Sequence, residues 1–254
     1  MWHELFLIPF FTGLLLAVLL PALGAYLRLR EEWLAALAYA HLAAGGALLG
    51  LIGGLPPAAG GVGAAVLAGA GKRLFAARLS GGASYALMLL GGWAVAVLVA
   101  ANHPLAERLG HAMFDGQLYF ADAAMLQLVA AGTVTGLLVL WRLSRQLLLA
   151  HLYPDFFRIR GLSAWPTQLG FDVLAALSLA LATMSLGVMG AFALVFIPPW
   201  LAFRRAASWR AGIRWSVAIG LASYLLAFGL ALYLDQPFGP MLALVLVFFG
   251  VLIA

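Results

Sequence analysis

The sequence predicts an all-α, polytopic membrane helical bundle, and its composition, its segment lengths and the placement of its charges predict this class. Of the 254 residues, 65% are hydrophobic and 9% are charged, whereas soluble domains have roughly 45–50% apolar and about 25% charged residues. The mean hydropathy is +1.07. One crossing needs about 20 apolar residues, so the chain has room for about eight or nine spans and none for a soluble catalytic domain. We therefore expect residues 1–254 to form a single transmembrane domain.

Nine apolar segments follow one another along the chain. The third is short and rich in glycine, and the sixth and seventh nearly merge, so eight spans plus a re-entrant piece is the alternative. The expected segments are residues 5–27, 33–53, 56–71, 83–101, 123–140, 168–185, 187–203, 215–234 and 239–254.

The basic residues indicate the orientation of the chain. All of them except Arg108 lie in the connections that follow the first, third, fifth and seventh segments. Basic loops stay on the cytoplasmic side, so we expect the N-terminus outside and the C-terminus in the cytoplasm. The pI near 10 then reports membrane topology, and we expect no nucleic-acid partner. The start of the chain lacks the basic region of a cleavable signal, so we expect the first segment to be retained.

His41 lies near the middle of the second segment. An ionisable side chain in hydrocarbon must find a partner or stay neutral, and it marks a functional site by default. On a helix, small residues flank it on one side and leucine on the other, which leaves room for another helix or for a narrow polar path. Two interpretations stay open: a hydrogen bond to a neighbouring helix, or a role in substrate passage.

Residues 151–172 form the longest predicted cytoplasmic connection. Aromatic side chains alternate there with Arg158 and Arg160, Pro154 opens the stretch and Gly161 interrupts it. A short amphipathic helix at about residues 154–160 fits this pattern. Such a helix either lies among lipid headgroups or docks on a soluble partner, and the residues alone favour lipid.

A predicted external connection carries His103, Glu107 and His111 at a spacing of four. If residues 105–112 are helical, the three side chains line one face. Imidazole with carboxylate is a plausible ligand set for zinc or manganese, whereas the absence of cysteine excludes thiolate sites and disulfides. Solvated loops also carry such residues without binding metal.

Three stretches together resemble a known family. They are LGAYLRLREEWLAALAYAHLAAG at residues 23–45, YPDFFRIRGLSAWPTQLGFD at 153–172, and LGVMGAFALVFIPPWLAFRRA at 186–206 followed by LDQPFGPMLAL at 234–244. The order of segments and these three stretches resemble the permease subunit of bacterial ABC importers for zinc, manganese and iron(II). The first is similar to the family's histidine-bearing helix after a basic pair, and the second to its coupling segment. The third is similar to its Val-Gly and Pro-x-Gly-Pro patterns.

The resemblance implies a multi-pass permease of the bacterial inner membrane, a homodimer that is not itself an enzyme. Its implied partners are a separate ABC ATPase subunit, an external metal-binding protein and membrane lipid. It implies no permanently bound cofactor: a transition metal ion is the cargo, and ATP binds only the partner subunit. A coupling segment at about residues 151–167 would contact the ATPase through Pro154, Asp155, Phe156, Phe157, Arg158 and Gly161.

The resemblance also makes His41 the expected ion ligand, with one departure. The family's aspartate one helical turn earlier is Leu37 here. A dication that loses its water needs compensating charge, which neutral imidazole does not supply. The candidate substitutes, none clearly on the face of His41, are Tyr39, Asp172, Met184 and Met189.

We expect the chain to import a divalent transition metal, zinc or manganese first, by alternating access at a homodimer interface. The alternatives are a softer metal, a metal chelate, another small solute or a non-transporting membrane scaffold that lost the metal site.

Overall fold

The computed structural model describes residues 2–76, 82–153 and 155–253, and all regular secondary structure in them is helical, as the sequence predicts. Pro154, a predicted ATPase contact, lies outside the described residues. A short 3-10 helix, Leu118–Phe120, lies between α5 and α6. The α-helices are α1 Trp2–Leu29, α2 Trp33–Ile52, α3 Pro57–Ala76, α4 Gly82–Asn102, α5 Pro104–Asp115, α6 Ala123–Leu152, α7 Asp155–Ile159, α8 Trp165–Arg205, α9 Trp209–Leu234 and α10 Phe238–Ile253.

Six helices in the described part of the chain are long and apolar enough to cross a membrane: α1, α2, α4, α6, α8 and α9. The chain is therefore a multi-pass helical membrane protein. The third predicted segment forms α3 and the ninth forms α10, a shorter apolar helix of 16 residues. The sixth and seventh share α8. The exact number of crossings and the orientation stay predictions.

The 41-residue helix α8 reverses direction at Gly187. Asp172 near its start lies 2.9 Å from Arg30, and Phe203 near its end lies under the guanidinium of Arg28, 5.0 Å away. Since both ends of α8 meet the same short stretch at the end of α1, residues 28–30, its two halves are antiparallel. Gly187 makes the reversal at φ 77°, and a Cβ there would lie 2.6 Å from the carbonyl oxygen of Phe114. Only glycine fits that backbone without strain.

The helices α2 and α8 form the interior of the bundle, while α4 and α6 are largely exposed. Large apolar side chains on the outer helices, among them Leu98, Val134 and Trp141, are exposed. Broad exposed apolar surface marks a membrane contact. Hydrocarbon therefore surrounds the outer helices, and α2 is enclosed by protein.

Glycines bring the neighbours of α2 unusually close. A Cβ on Gly60 of α3 would lie 2.3 Å from the carbonyl oxygen of Gly46, and one on Gly92 of α4 would lie 2.7 Å from the backbone of His41. Small residues at helix contacts let backbones approach in membranes. The backbone that carries His41 is thus held between close neighbours.

Candidate functional site

His41 is buried on α2, with 5% of its surface exposed. Its Nδ1 donates a hydrogen bond to the carbonyl oxygen of Leu37, at 2.8 Å. A carbonyl can only accept, so Nδ1 carries the proton and the neutral ring keeps a lone pair on Nε2. The predicted bond to a neighbouring helix is wrong, because the partner is the preceding turn of the same helix. Nε2 is the nitrogen that can bind a metal.

The surroundings of His41 are apolar. Its ring centre lies 6.0 Å from that of Phe114 on α5. The small residues Ala40 and Ala44 of the same helix pack with Met113 and Val188, and Leu37, Leu109, Phe114 and Met184 pack against that cluster. Within the described residues, no three His, Asp or Glu side chains come together to hold a metal ion. The carboxylate missing at Leu37 is therefore not replaced by an acidic cluster within one chain.

A cavity of about 260 Å³ opens beside this cluster, at the end of the bundle where α3 begins. We call it the methionine cavity, because Met113 of α5, Met125 of α6 and Met184 of α8 line it together. The other lining residues are Pro57, Ala58, Leu109, Gln117, Phe120, Ala121, Asp122 and Ser185. Sequence reasoning considered Met184 only as a substitute ligand and missed Met113 and Met125, because three distant helices bring them together.

A cluster of four charges lies at the opposite end of α2. Arg30 contacts Glu32 and Asp172 at 2.9 Å each, and Lys72 contacts Glu32 at 2.7 Å and Asp172 at 3.3 Å. We call these residues the charge cluster. Burial disfavours the charge on Arg30, but Asp172 and Glu32 outweigh it and hold the pKa of Arg30 above its ordinary value. Buried charges persist only when they are paired, and here each anion faces both cations.

The charge cluster lines a second cavity, of about 380 Å³. We call it the inner cavity, because the sequence predicts that this end of the bundle is cytoplasmic. His151 at the end of α6 and Trp165 at the start of α8 line the same cavity. Both residues belong to the predicted coupling segment, residues 151–167. The proposed use of Asp172 as a substitute ligand for His41 does not fit, because the carboxylate is paired with Arg30 and Lys72.

The predicted short helix in the coupling segment is present as α7. The rings of Phe156 and Phe157 pack edge to face at 5.4 Å, and the guanidinium of Arg160 lies 4.9 Å from the Phe156 ring. Gly161 follows with φ 64°, a conformation that favours glycine. Ile159 is 79% exposed, so α7 presents apolar surface away from the bundle.

His103, Glu107 and His111, which the sequence predicts to be external, lie on or beside α5. The predicted helix is present, with His103 at its N-cap and Glu107 and His111 within it. All three residues are exposed. They do not form a three-ligand group in the described structure, so a metal at this position stays a prediction.

The bundle of long apolar helices, with a histidine buried inside it, defines a polytopic helical membrane protein. The chain belongs to the ABC 3 transport family, whose model matches residues 3–254. It is therefore a transport permease rather than an enzyme. The predicted resemblance to the permease subunits of metal ABC importers is confirmed.

Two solved structures share the fold. One is PsaBC from Streptococcus pneumoniae in complex with a Fab: the TM-score is 0.83 at 18% identity, over 96% of this chain and 88% of that one. The other is a transporter assigned to the metal-chelate ABC type, in an inward-facing conformation: the TM-score is 0.72 at 18% identity, over 97% of this chain and 84% of that one. None of the curated proteins matches this chain.

Proposed function

We propose that this chain is the membrane subunit of an ATP-driven importer for a divalent transition metal, zinc or manganese, and that the ion passes His41. The observation that carries the proposal is the buried imidazole, whose Nδ1 is bonded to Leu37 and whose Nε2 lone pair is free to bind. Family membership supports the transport role. His41 is the one His, Asp, Glu, Lys or Arg residue of α2, the helix that its neighbours enclose.

The chemistry of this site favours zinc over manganese. Imidazole nitrogen suits zinc, whereas manganese prefers carboxylate, carbonyl and water oxygens. Leu37 supplies only a backbone carbonyl, which the Nδ1 proton already occupies. In the homodimer that we propose, two copies of His41 would offer two neutral nitrogens, and water or backbone oxygen would complete the coordination.

The charge cluster would close the inner end of the path. Three contacts between 2.7 and 3.3 Å link α3, α8 and the connection after α1 to one another. Alternating access needs an element with two arrangements. Opening this end of the bundle requires the four side chains to separate, and water or other partners must then solvate their charges. The closed arrangement is therefore preferred unless energy is supplied.

The coupling segment would receive that driving force from an ABC ATPase. Half-buried Phe156 and Phe157 hold α7 against the protein, while exposed Ile159 offers apolar surface to a partner. His151 and Trp165 of the same segment line the inner cavity together with the charge cluster. Movement of α7 would therefore reach the charge cluster directly. An external metal-binding protein would deliver the ion to the other end.

A softer metal or a metal chelate is the second candidate cargo. The apolar surroundings of His41 and the leucine at position 37 offer no charge to a bare dication. The metal-chelate type transporter that shares this fold supports the same alternative. Such a cargo carries its own ligands or less charge, so it needs fewer from the protein.

A metal screen tests the proposed function. The complete complex, with its ATPase and its external binding protein, is reconstituted in liposomes and supplied with zinc, manganese and iron(II). We expect ATP-dependent accumulation of zinc above manganese. If none of these metals accumulates although the ATPase is assembled and active, the proposed function is contradicted.

A further inference from the structure

The methionine cavity brings together thioethers from three helices that are distant in sequence. Met113 comes from α5, Met125 from α6 and Met184 from α8, and all three line one cavity of about 260 Å³. Thioether sulfur is a soft, neutral ligand that selects Cu(I) over harder ions. We propose that this cavity binds a soft monovalent metal ion, Cu(I) or Ag(I).

Core packing accounts for only part of the arrangement. Methionine is a common filler of irregular gaps, and all three side chains pack against apolar clusters. Met125 and Met184 are only half-buried, however, and all three residues line the same cavity. The cavity is several times the volume of one water molecule, roughly 30 Å³. A metal ion with one or two further ligands fits there.

Two polar side chains of the cavity, Asp122 and Ser185, are already engaged. The Asp122 carboxylate accepts a hydrogen bond from the backbone N–H of Met125 at 2.8 Å, as the N-cap of α6. Ser185 donates to the carbonyl oxygen of Leu181 at 3.3 Å. Histidine, glutamate and cysteine are absent from the described lining. The three sulfurs are neutral, so at most the one exposed carboxylate can balance the charge of a bound ion. One carboxylate balances an ion of charge +1 but not one of charge +2, which favours a monovalent ion over zinc or manganese.

The position of the cavity connects it with His41. Met113 and Met184 belong to the apolar cluster that includes Ala40 and Ala44, next to His41 on α2. Phe114, the neighbour of Met113, lies 6.0 Å from the His41 ring. Imidazole is also a copper ligand. A soft ion held by the three sulfurs would thus lie beside the proposed path, whether zinc or manganese is the usual cargo.

Competition with a Cu(I) chelator tests the proposal on the complete complex without ATP. The complex is titrated anaerobically against the Cu(I)–bicinchoninate complex, and Ag(I) is added as a competitor. The test variant combines Met113→Leu, Met125→Leu and Met184→Leu, which nearly conserve side-chain volume. The matched control combines Met189→Leu and Met241→Leu, outside the cavity. We expect the wild type and the control to withdraw one more Cu(I) per chain than the test variant, and Ag(I) to displace it.

Three results would overturn the proposal: no withdrawal of Cu(I) by the wild type, equal withdrawal by the test variant, or equal loss in the control. X-ray absorption at the copper edge of the wild-type complex does not depend on the folding of a variant. Sulfur neighbours support the site, and a shell of nitrogen and oxygen alone contradicts it. Zinc uptake is measured in a separate assay. If zinc is not transported, the Cu(I) titration can therefore still be interpreted.

Discussion

The two ends of α2 offer a metal ion opposite chemistry. The methionine cavity lies at one end and is lined by neutral sulfur and apolar side chains. The inner cavity at the other end contains two cations and two anions that contact one another between 2.7 and 3.3 Å. Acidic side chains of the kind that a dication path would use are thus neutralised in ion pairs, away from His41. One end suits ligand exchange, and the other suits closure.

The largest effect should follow from removing one charge at the inner end. Asp172→Asn leaves two buried cations with a single anion, and breaking a buried pair costs about 3–5 kcal/mol. We expect the Tm in detergent to fall by about 5–10 °C. The exposed residue Asp235 provides the control, since Asp235→Asn makes the same chemical change without a buried partner. Equal Tm values for the two variants would show that the charge cluster does not hold the inner end closed.

Two adjacent glycines of α4 test how tightly α2 is held between those ends. In Gly92→Ala the new methyl group meets the backbone of His41 at 2.7 Å, so α2 and α4 must separate, at a cost of about 1–3 kcal/mol. In the described structure nothing lies within 4 Å of a Cβ on Gly91, so Gly91→Ala should be neutral or slightly stabilising. Metal uptake and the Tm are measured for both variants. Similar uptake and Tm in the two variants would show that the close contact between α4 and α2 does not hold His41 in place.

A charged residue in the coupling segment should weaken binding of the ATPase to the permease. Phe157→Asp places a carboxylate in the half-buried aromatic pair of α7, and loss of one interface anchor typically costs about 2 kcal/mol or more. ATPase binding to the permease should weaken about 30-fold, with uptake lost in proportion. Tyr233→Asp, the control, also replaces an aromatic side chain with a carboxylate, at an exposed position near the end of α9 that lines neither the methionine cavity nor the inner cavity. If both variants retain the ATPase equally, α7 is not the docking element.

A smaller effect is expected when charge is added near the neutral end. Leu37→Asp places a carboxylate one helical turn before His41 and gives a dication the missing negative ligand. Because manganese gains more from carboxylate than zinc does, the ratio of manganese to zinc uptake should rise about tenfold. Leu42→Asp, on a different face of α2, is the control. A ratio that is unchanged, or that rises equally in the control, would mean that position 37 does not face the ion.

The sequence predicts the helical membrane class and the helix at α7 well, because both follow from local patterns. Apolar segments of about 20 residues indicate spans, and Pro154 and Gly161 bracket a short amphipathic stretch. The sequence also predicts two successive spans, residues 168–185 and 187–203, where the structure has the two halves of α8, but the role of Gly187 in the reversal, with φ 77°, required the structure. The number of crossings is harder to predict, because α3 and α10 are apolar helices of marginal composition or length.

The candidate site depended on tertiary contacts and was predicted only in part. His41 stands out in the sequence, but its bond to Leu37 required the structure. Lys72 lies 40 residues from Glu32 and 100 residues from Asp172 along the chain, so no local pattern reveals the charge cluster. The two methionines that seemed equivalent in sequence also separate: Met184 lines the cavity, whereas Met189 is 52% exposed.

ATP-driven zinc uptake by a His41→Gln complex, compared with the wild type and with a His3→Gln control at the start of α1, tests the passage of the ion past His41 most directly. Even changes to residues that only hydrogen-bond a metal ligand cost about 10–100-fold. We therefore predict at least a roughly tenfold fall in uptake for His41→Gln, at unchanged complex assembly and Tm, and wild-type uptake for His3→Gln. Zinc uptake at the wild-type rate in His41→Gln would contradict the proposed path.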